Sequence, residues 1–298
     1  MIQRISLKKA ITLSLGDMNQ SVITKYHLGL LLFQLYSHKK YKNYSLYIKN
    51  QYPDSENLSQ SIKDLTDIGV IRPHPSVPQC YMLVGGKNIQ AEEIVCSADP
   101  FAFVSHLSAM AYHGLTNRMP ATLFISSPSP KKWKEFALER MKKDLGTYLE
   151  VYLRNGLPRL QKISFKNIGK QKINCYSGIH MGTFKKTEDE KIRVSTIGRT
   201  FLEMLQQPDL CGGIYHVIEV FEEYAEQYLD LVVNEIENNG KQIDKVRAGY
   251  ILDEICGLEH DYSDNWLQFV QRGGSRKLDP GRNYSSEYSK KWCISLNT

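Results

Sequence analysis

The stretch DSENLSQSIKDLTDIGVIRPHPSVPQCYMLVGG, residues 54–86, passes from a helical pattern to a hairpin pattern. In its first half, apolar residues recur at the spacing of one buried helix face: Leu58, Ile62, Leu65 and Ile68. Asp54 or Ser55 can cap the start of this helix, and Gly69 stands where a helix C-terminus favours glycine. The pattern therefore predicts a helix with one buried stripe and one polar face.

The second half of the stretch predicts two short strands, 70–72 and 80–84, joined by a Pro-rich tip. Upstream, the segment VITKYHLGLLLFQLYSHKK begins at Val22 and has a broad apolar face, which predicts a long scaffold helix. The segment YSLYIKNQYP then predicts a short helix that stops before Pro53. Helix, short helix, helix and β-hairpin is the order of a winged helix-turn-helix, which we assign to residues 1–90.

The charge of the chain is unevenly distributed. Residues 1–90 contain 11 Lys and Arg against 5 Asp and Glu, so the whole formal net charge of +6 falls in this segment. The remaining 27 basic and 27 acidic residues balance. A basic module on a neutral body favours a polyanionic partner for the module.

In a DNA-bound winged helix, the second helix of the turn lies in the major groove and the hairpin contacts backbone phosphates. The candidate base contacts on the polar helix face are Asn57, Ser59, Gln60 and Lys63. The candidate phosphate contacts are Lys39, Lys40, Lys42, Lys49, Arg72 and His74. The alternative is a protein-docking module whose polar face is solvated.

Residues 91–298 predict a second domain, with an α/β region to about residue 196 and a mainly helical part from about residue 197. Its predicted elements are helix 101–113, strand 121–127, helix 131–145, strand 147–154, strand-like runs at 172–184 and 191–196, and a closing strand KKWCISLN at 290–297. Helix 131–145 offers a second phosphate-facing surface formed by Lys131, Lys132, Lys134, Lys142 and Lys143. The chain as a whole is predicted to be an α+β multidomain protein.

The segment SHLSAMAYHGLTNRMP, residues 105–120, contains two histidines and invites a catalytic interpretation. His106 and His113 lie two helical turns apart, about 10 Å along the axis, which is too far for a shared metal. No GxSxG elbow surrounds the serines, so a nucleophile is not indicated. We expect Ser105 to cap a helix that ends at Gly114.

Other enzyme and membrane signals are weak. The six cysteines form no CxxC pair, and no apolar run is long enough for a membrane span, so we expect no metal, no cofactor and a cytoplasmic protein. A winged-helix-guided nuclease remains an alternative, but its nearest carboxylate–lysine cluster, EDEK at 188–191, falls in a predicted charged turn. We therefore expect a non-enzymatic protein.

Three sequence blocks resemble the AbiEi-type antitoxins. The first is SHLSAMAYHGLTNRMP with the following TLFIS, and the second is VSTIGRTFLEMLQQPDLCGGIYHVIEVF at 194–221. The third comprises RAGYILDEICGL and KLDPGRNYSSEYSKKWCISLN near the end of the chain. One position departs from the family pattern, because Gly198 stands where members often have an acidic residue before the arginine, here Arg199.

The resemblance implies an antitoxin and transcriptional autorepressor of a type IV toxin–antitoxin operon, active in phage defence. Its partners would be operator DNA with inverted repeats and a nucleotidyltransferase-like toxin, which need not be contacted directly. Members bind DNA through the winged helix, and their C-terminal domain is linked to antitoxicity.

Overall fold

The computed structural model describes residues 3–18, 20–85, 89–178, 182–189, 191–272 and 276–298. Within these ranges the chain is a mixed α/β protein, with helices packed around three separate β-sheets. None of the described helices has an apolar stretch long enough to cross a bilayer.

The first third of the chain alternates helices and short strands. In order, they are β1 (Arg4–Ile5), α1 (Leu7–Gly16), β2 (Val22–Thr24), α2 (Lys25–His38), β3 (Lys40–Tyr41), β4 (Tyr44–Leu46), α3 (Ser55–Asp67), β5 (Ile71–Pro73) and β6 (Cys80–Leu83). The hydroxyls of Ser6 and Thr24 accept backbone N–H groups at the starts of α1 and α2. Side-chain caps thus determine where these two helices begin.

The short strands of this region form two three-stranded sheets. One has the order β1-β4-β3, and the other, β2-β6-β5, is antiparallel throughout. Helix α3 ends at Asp67, and the turn that follows contains Gly69, whose φ of 73° is in the left-handed region that glycine adopts without strain. The predicted helix 54–68 and its following pair of strands are therefore confirmed as α3, β5 and β6.

Two predictions in this region are wrong in part. The predicted short helix YSLYIKNQYP contains no helix, and its first residues form β4, which is hydrogen-bonded on both sides, to β1 and β3. Its Tyr, Ser and Leu residues fit a strand once neighbours are present. The long helix predicted from Val22 begins at Lys25, because the preceding residues pair with β6 as β2.

A six-stranded sheet dominates the middle of the chain. The elements here are α4 (Ala91–Ala98), β7 (Phe103–Val104), α5 (His106–Tyr112), β8 (Thr122–Pro128), α6 (Pro130–Leu145), α7 (Leu149–Arg154), β9 (Asn167–Ile168), β10 (Gln171–Gly178), β11 (Phe184–Lys186) and β12 (Arg193–Ser195). The strand order is β11-β12-β7-β8-β10-β9, with β8 parallel to β10 and β7 parallel to β12. A 3-10 turn at Gly146–Tyr148 joins α6 to α7.

Most of the predicted middle elements are present, but the helix predicted at 101–113 begins only at His106, after strand β7, and the strand predicted at 147–154 is wrong. This segment is the 3-10 turn followed by α7, and Tyr152 is fully buried with its ring edge against the rings of Tyr26 and Phe33. An apolar run of this length fits a strand or a helix equally well by pattern alone. Residues 179–181 of the strand-like run 172–184 lie outside the described residues.

The final third is mainly helical, as predicted. Its helices are α8 (Ile197–Gln206), α9 (Ile214–Tyr224), α10 (Leu229–Asn239), α11 (Gln242–Tyr250) and α12 (Ser263–Leu267), with a 3-10 turn at Pro208–Cys211 and a π-helical turn at Ile251–Ile255. The predicted closing strand 290–297 is wrong, because only Ser295 forms isolated bridges there. Trp292 is buried among the helices, and its indole N–H donates to Asp253 at 2.7 Å.

The apolar core connects the first third to the middle of the chain. Residues of α6 and α7, among them Trp133, Met141 and Tyr152, share one buried cluster with the side chains of α1, α2 and α3. Gly29 on α2 makes this contact close, because a Cβ there would lie 2.7 Å from the Tyr152 hydroxyl. Helices on both sides of residue 90 therefore stabilise each other.

Candidate nucleic-acid interface

Helix α3 is held at its start by a reciprocal cap. The Asp54 carboxylate accepts the backbone N–H of Asn57 at 2.8 Å, and the Asn57 side-chain oxygen accepts the backbone N–H of Asp54 at 3.2 Å. Leu58 and Leu65 are buried on the inner face. The cap and the buried stripe orient the opposite face outward, and part of Asn57 is engaged in the cap itself.

The outer face of α3 presents Ser59, Gln60 and Lys63, all exposed. The Ser59 hydroxyl donates to the Ser55 carbonyl at 2.8 Å, and the Gln60 amide donates to Asp64 at 2.7 Å. Lys63 has no hydrogen-bond or ion-pair partner within the part of the chain that the structure describes. Gln60 and Lys63 therefore keep the most capacity for an outside ligand on this helix.

The hairpin β5–β6 follows directly from α3. Arg72 is exposed on β5, whereas His74 organises the tip, because its Nδ1 accepts the backbone N–H groups of Ser76 and Val77, each at 3.1 Å. Burial lowers the pKa of His74. His74 is thus neutral at pH 7, and Arg72 carries the positive charge of the hairpin.

The four predicted phosphate-contacting lysines upstream of α3 differ in availability. Lys39 ends α2 in the left-handed conformation, and its ammonium donates to the Lys49 carbonyl at 3.5 Å. Lys42 is ion-paired with Asp17 at 2.6 Å, and this hydrogen bond raises the Lys42 pKa. Lys40 and Lys49 are exposed. The charge of Lys42 is therefore largely balanced within the module.

The predicted second basic surface lies on the outer side of α6. The inner side of this helix buries Trp133, Ala137, Met141 and Leu145. Its lysines are all exposed: Lys131, Lys132, Lys134, Lys142 and Lys143. Lys132 is paired with Glu135 at 2.8 Å, so the surface is less uniformly basic than the sequence run indicates.

The segment 105–120 forms α5 and a turn at Gly114, as predicted, but Ser105 does not cap the helix through its side chain. The Ser105 hydroxyl instead contacts His106 Nδ1 at 2.8 Å and accepts from Ser126 at 2.9 Å. His113 Nε2 lies 2.6 Å from the Ser195 carbonyl, which ties α5 to β12. These contacts join α5 to β8 and β12 inside the fold, but they leave His106 Nε2 without a hydrogen-bond partner among the described residues.

Glu203 is the centre of this buried network, and it is not among the candidate residues predicted from the sequence. Its carboxylate accepts the backbone N–H of His106 at 2.9 Å and the Ser195 hydroxyl at 3.0 Å, while Arg199 donates to it at 3.4 Å. Arg199 also lies 4.0 Å from Glu235. Arg199 and Glu203 are four residues apart on α8, a spacing that could have indicated the pair.

The buried network lacks the access that catalysis requires. Ser105 and His106 are fully buried, and the crevice beside Ser126 and Arg199 has a volume of about 10 Å³. A nucleophile must reach its substrate, and the described residues leave no such access to Ser105. Of the EDEK cluster, Glu190 lies outside the described residues, and Lys191 is 3.8 Å from Glu93. The described residues contain no cluster of three or more His, Cys, Asp or Glu suited to a metal.

These observations define a mixed α/β protein that exposes a polar helix face, a hairpin with one exposed arginine and a lysine-rich helix. Comparison with protein-family models and with curated proteins finds no match. Among solved structures, the chain is similar to the RV2827C protein from Mycobacterium tuberculosis, with a TM-score of 0.48 and 11% sequence identity. The similarity covers 98% of this chain and 92% of that chain.

Proposed function

We propose that residues 1–90 form a winged helix-turn-helix that binds operator DNA. The observation that carries this proposal is the chain order α1, β2, α2, α3, β5, β6 combined with the sheet order β2-β6-β5. In a winged helix, a strand between the first two helices pairs with the hairpin in this way. The element inserted between α2 and α3 is the β3–β4 hairpin, where the sequence analysis predicted a helix.

Under this proposal, α3 is the helix that enters the major groove. Its exposed Gln60 suits adenine, and Lys63 reaches a guanine edge or a phosphate. Arg72 on β5 and the exposed Lys40 and Lys49 supply contacts to the backbone. The excess charge of the first 90 residues supports DNA as the partner.

We further propose that the protein acts as an antitoxin and autorepressor of a type IV toxin–antitoxin operon. This part rests on the resemblance of the three sequence blocks to AbiEi-type antitoxins. The toxin would be a nucleotidyltransferase-like enzyme, counteracted through residues 91–298 with or without direct contact. The lysines on α6 would add phosphate contacts from this part of the chain.

A DNA-binding titration tests the proposal. The purified protein is titrated against its own upstream region and against a scrambled duplex, at two salt concentrations. We expect tighter binding to the upstream region, and a loss of about tenfold or more in affinity for Gln60→Ala combined with Lys63→Ala. The salt slope should fall by about 1 for each phosphate contact removed.

The matched control replaces the same residue types in the C-terminal part, with Gln268→Ala and Lys290→Ala. Both side chains are exposed, so the fold is not at risk, and operator affinity should not change. Equal binding to both duplexes, or unchanged binding by the α3 variant, would refute the assignment of α3 as the recognition helix.

A protein-docking module is the second candidate function. It is favoured by the internal engagement of Asn57 in its cap and of Lys42 in its ion pair, since both residues were predicted to contact DNA. Absence of DNA binding at low salt, together with association with the toxin, would support this candidate instead.

A further inference from the structure

A cleft of about 390 Å³ lies between α2 and one edge of the six-stranded sheet. One wall comes from α2, through His27, Leu30, Leu31 and Gln34, and the other from the β11–β12 edge. Helix α6 and the end of α4 close the remaining sides. The volume is within the range of small-molecule sites, about 300–1,000 Å³.

The side chains around the cleft are strongly cationic. Four of them are basic: Arg140, Lys186, Lys191 and Arg193. Among the described residues that line the cleft, none is an Asp or a Glu. Two carboxylates that do not line the cleft contact these cations: Asp144 accepts from Arg140 at 2.8 Å, and Glu93 lies 3.8 Å from Lys191. The cleft is therefore positioned to attract an anion.

The Arg193 guanidinium is fixed in place by backbone carbonyls. Its Nε donates to Ala102 at 2.9 Å, and one terminal nitrogen donates to Cys96 at 2.7 Å and to Asp99 at 2.6 Å. These bonds anchor the charge without neutralising it, because carbonyl oxygens carry no formal charge. A pre-organised guanidinium loses little conformational entropy when it binds a phosphate.

The rest of the cleft combines apolar side chains with two side-chain amides. Met18, Leu30 and Leu31 provide apolar surface, and the amides of Gln20 and Gln34 lie at the exposed rim. An inorganic anion would make no use of the apolar surface.

We propose that this cleft binds a mononucleotide, with its phosphates among the four cations and its base against Met18, Leu30 and Leu31. The proposed site uses none of the side chains of α3 assigned to DNA. It therefore goes beyond the proposed operator binding and can be tested without DNA.

The test is isothermal titration calorimetry of the full chain with ATP, inorganic tripolyphosphate and adenosine. We expect ATP to bind, with tripolyphosphate and adenosine each weaker by about tenfold or more, because each lacks one half of the contacts. Lys186→Ala combined with Lys191→Ala should weaken ATP binding by about tenfold or more. The matched control, Lys166→Ala with Lys172→Ala, removes the same charge at the opposite edge of the sheet and should leave ATP binding unchanged.

A second variant avoids any effect on folding. Gln34→Glu changes an exposed side chain at the rim and places a negative charge beside the phosphates, so it should also weaken ATP binding. The ring signals of His27 in an NMR spectrum should move when ATP is added, which locates the ligand in the cleft.

Four outcomes would overturn the proposal. The first is that ATP does not bind at millimolar concentration, and the second is that ATP and tripolyphosphate bind equally well. The third is that both cleft variants bind ATP as the wild type does. The fourth is that the lysine variant loses operator binding while no protein binds ATP. The last outcome would assign the cleft to DNA. Variants of Gln60 and Lys63 should still bind ATP, so failure of this proposal and failure of operator binding are distinguishable.

Discussion

Single residues decide how tightly the final third of the chain packs. A Cβ on Gly198 would lie 2.3 Å from the backbone oxygen of Leu231, so glycine is required where α8 crosses α10. The neighbouring Arg199 finds its acidic partners elsewhere, in Glu203 on its own helix and Glu235 on α10. The departure from the AbiEi pattern at Gly198 therefore leaves the arginine paired.

Gly198→Ala tests this close approach. We expect the free energy of unfolding to fall by about 1–3 kcal/mol, because backbone must move to admit the methyl group. Gly16→Ala is the control, since its Cβ would meet nothing within 4 Å. Urea unfolding followed by circular dichroism measures both, and equal midpoints for the two variants would contradict the packing argument.

The lowered pKa of His27 predicts that the stability of the fold depends on pH. Burial, followed by the nearby Arg140, lowers the pKa of His27 from 6.5 to about 4, whereas Asp144 acts in the opposite direction. Because the folded-state pKa is below the unfolded value, the stabilisation is present above pH 6.5 and is lost as the pH falls toward 4. Between pH 7 and pH 5 this loss should amount to about 2 kcal/mol.

The measurement is the free energy of unfolding of the wild type and of His27→Gln at both pH values. Glutamine keeps a polar side chain but cannot gain a proton, so the variant should lose less stability on acidification than the wild type. Parallel loss in both proteins would mean that His27 does not control this dependence.

Among the helices and strands, α3 depends most clearly on one local interaction, the side-chain cap formed by Asp54. Asp54→Ala removes the carboxylate that accepts the Asn57 N–H, and we expect it to cost about 1 kcal/mol of stability. If α3 reads DNA, the frayed start should also weaken operator binding. Asp54→Asn keeps an acceptor and is the control. A full loss of binding by both variants would indicate a role for the carboxylate charge beyond capping.

The whole molecule is joined across residue 90 by its core. A fragment of residues 1–90 would expose the face of α2 that packs on α6 and α7, including Phe33 and Tyr26. We expect this fragment to bind the hydrophobic dye ANS and to unfold at lower urea than the full chain. A fragment with a cooperative transition at the full-chain midpoint would show that the module folds independently.

The sequence alone determined the elements that carry their own local signals. Helix α3 has a cap, a buried stripe and a terminal glycine within fifteen residues of each other, and α6 begins with proline and has an inward apolar face. Such signals depend on neighbours within one or two turns, so they can be recognised without the fold. The unequal distribution of charge was visible in the same way.

Only the tertiary structure decided the ambiguous segments and the buried polar centre. Strand β4 exists because β1 and β3 lie on either side of it, and α7 is helical where its Tyr152 packs into α2. Glu203 is important because β12, α5 and α8 meet around it. Whether such a segment forms a strand or a helix depends on partners that are distant in the chain. Contacts with these partners override local propensity differences, which amount to roughly a fraction of a kcal/mol.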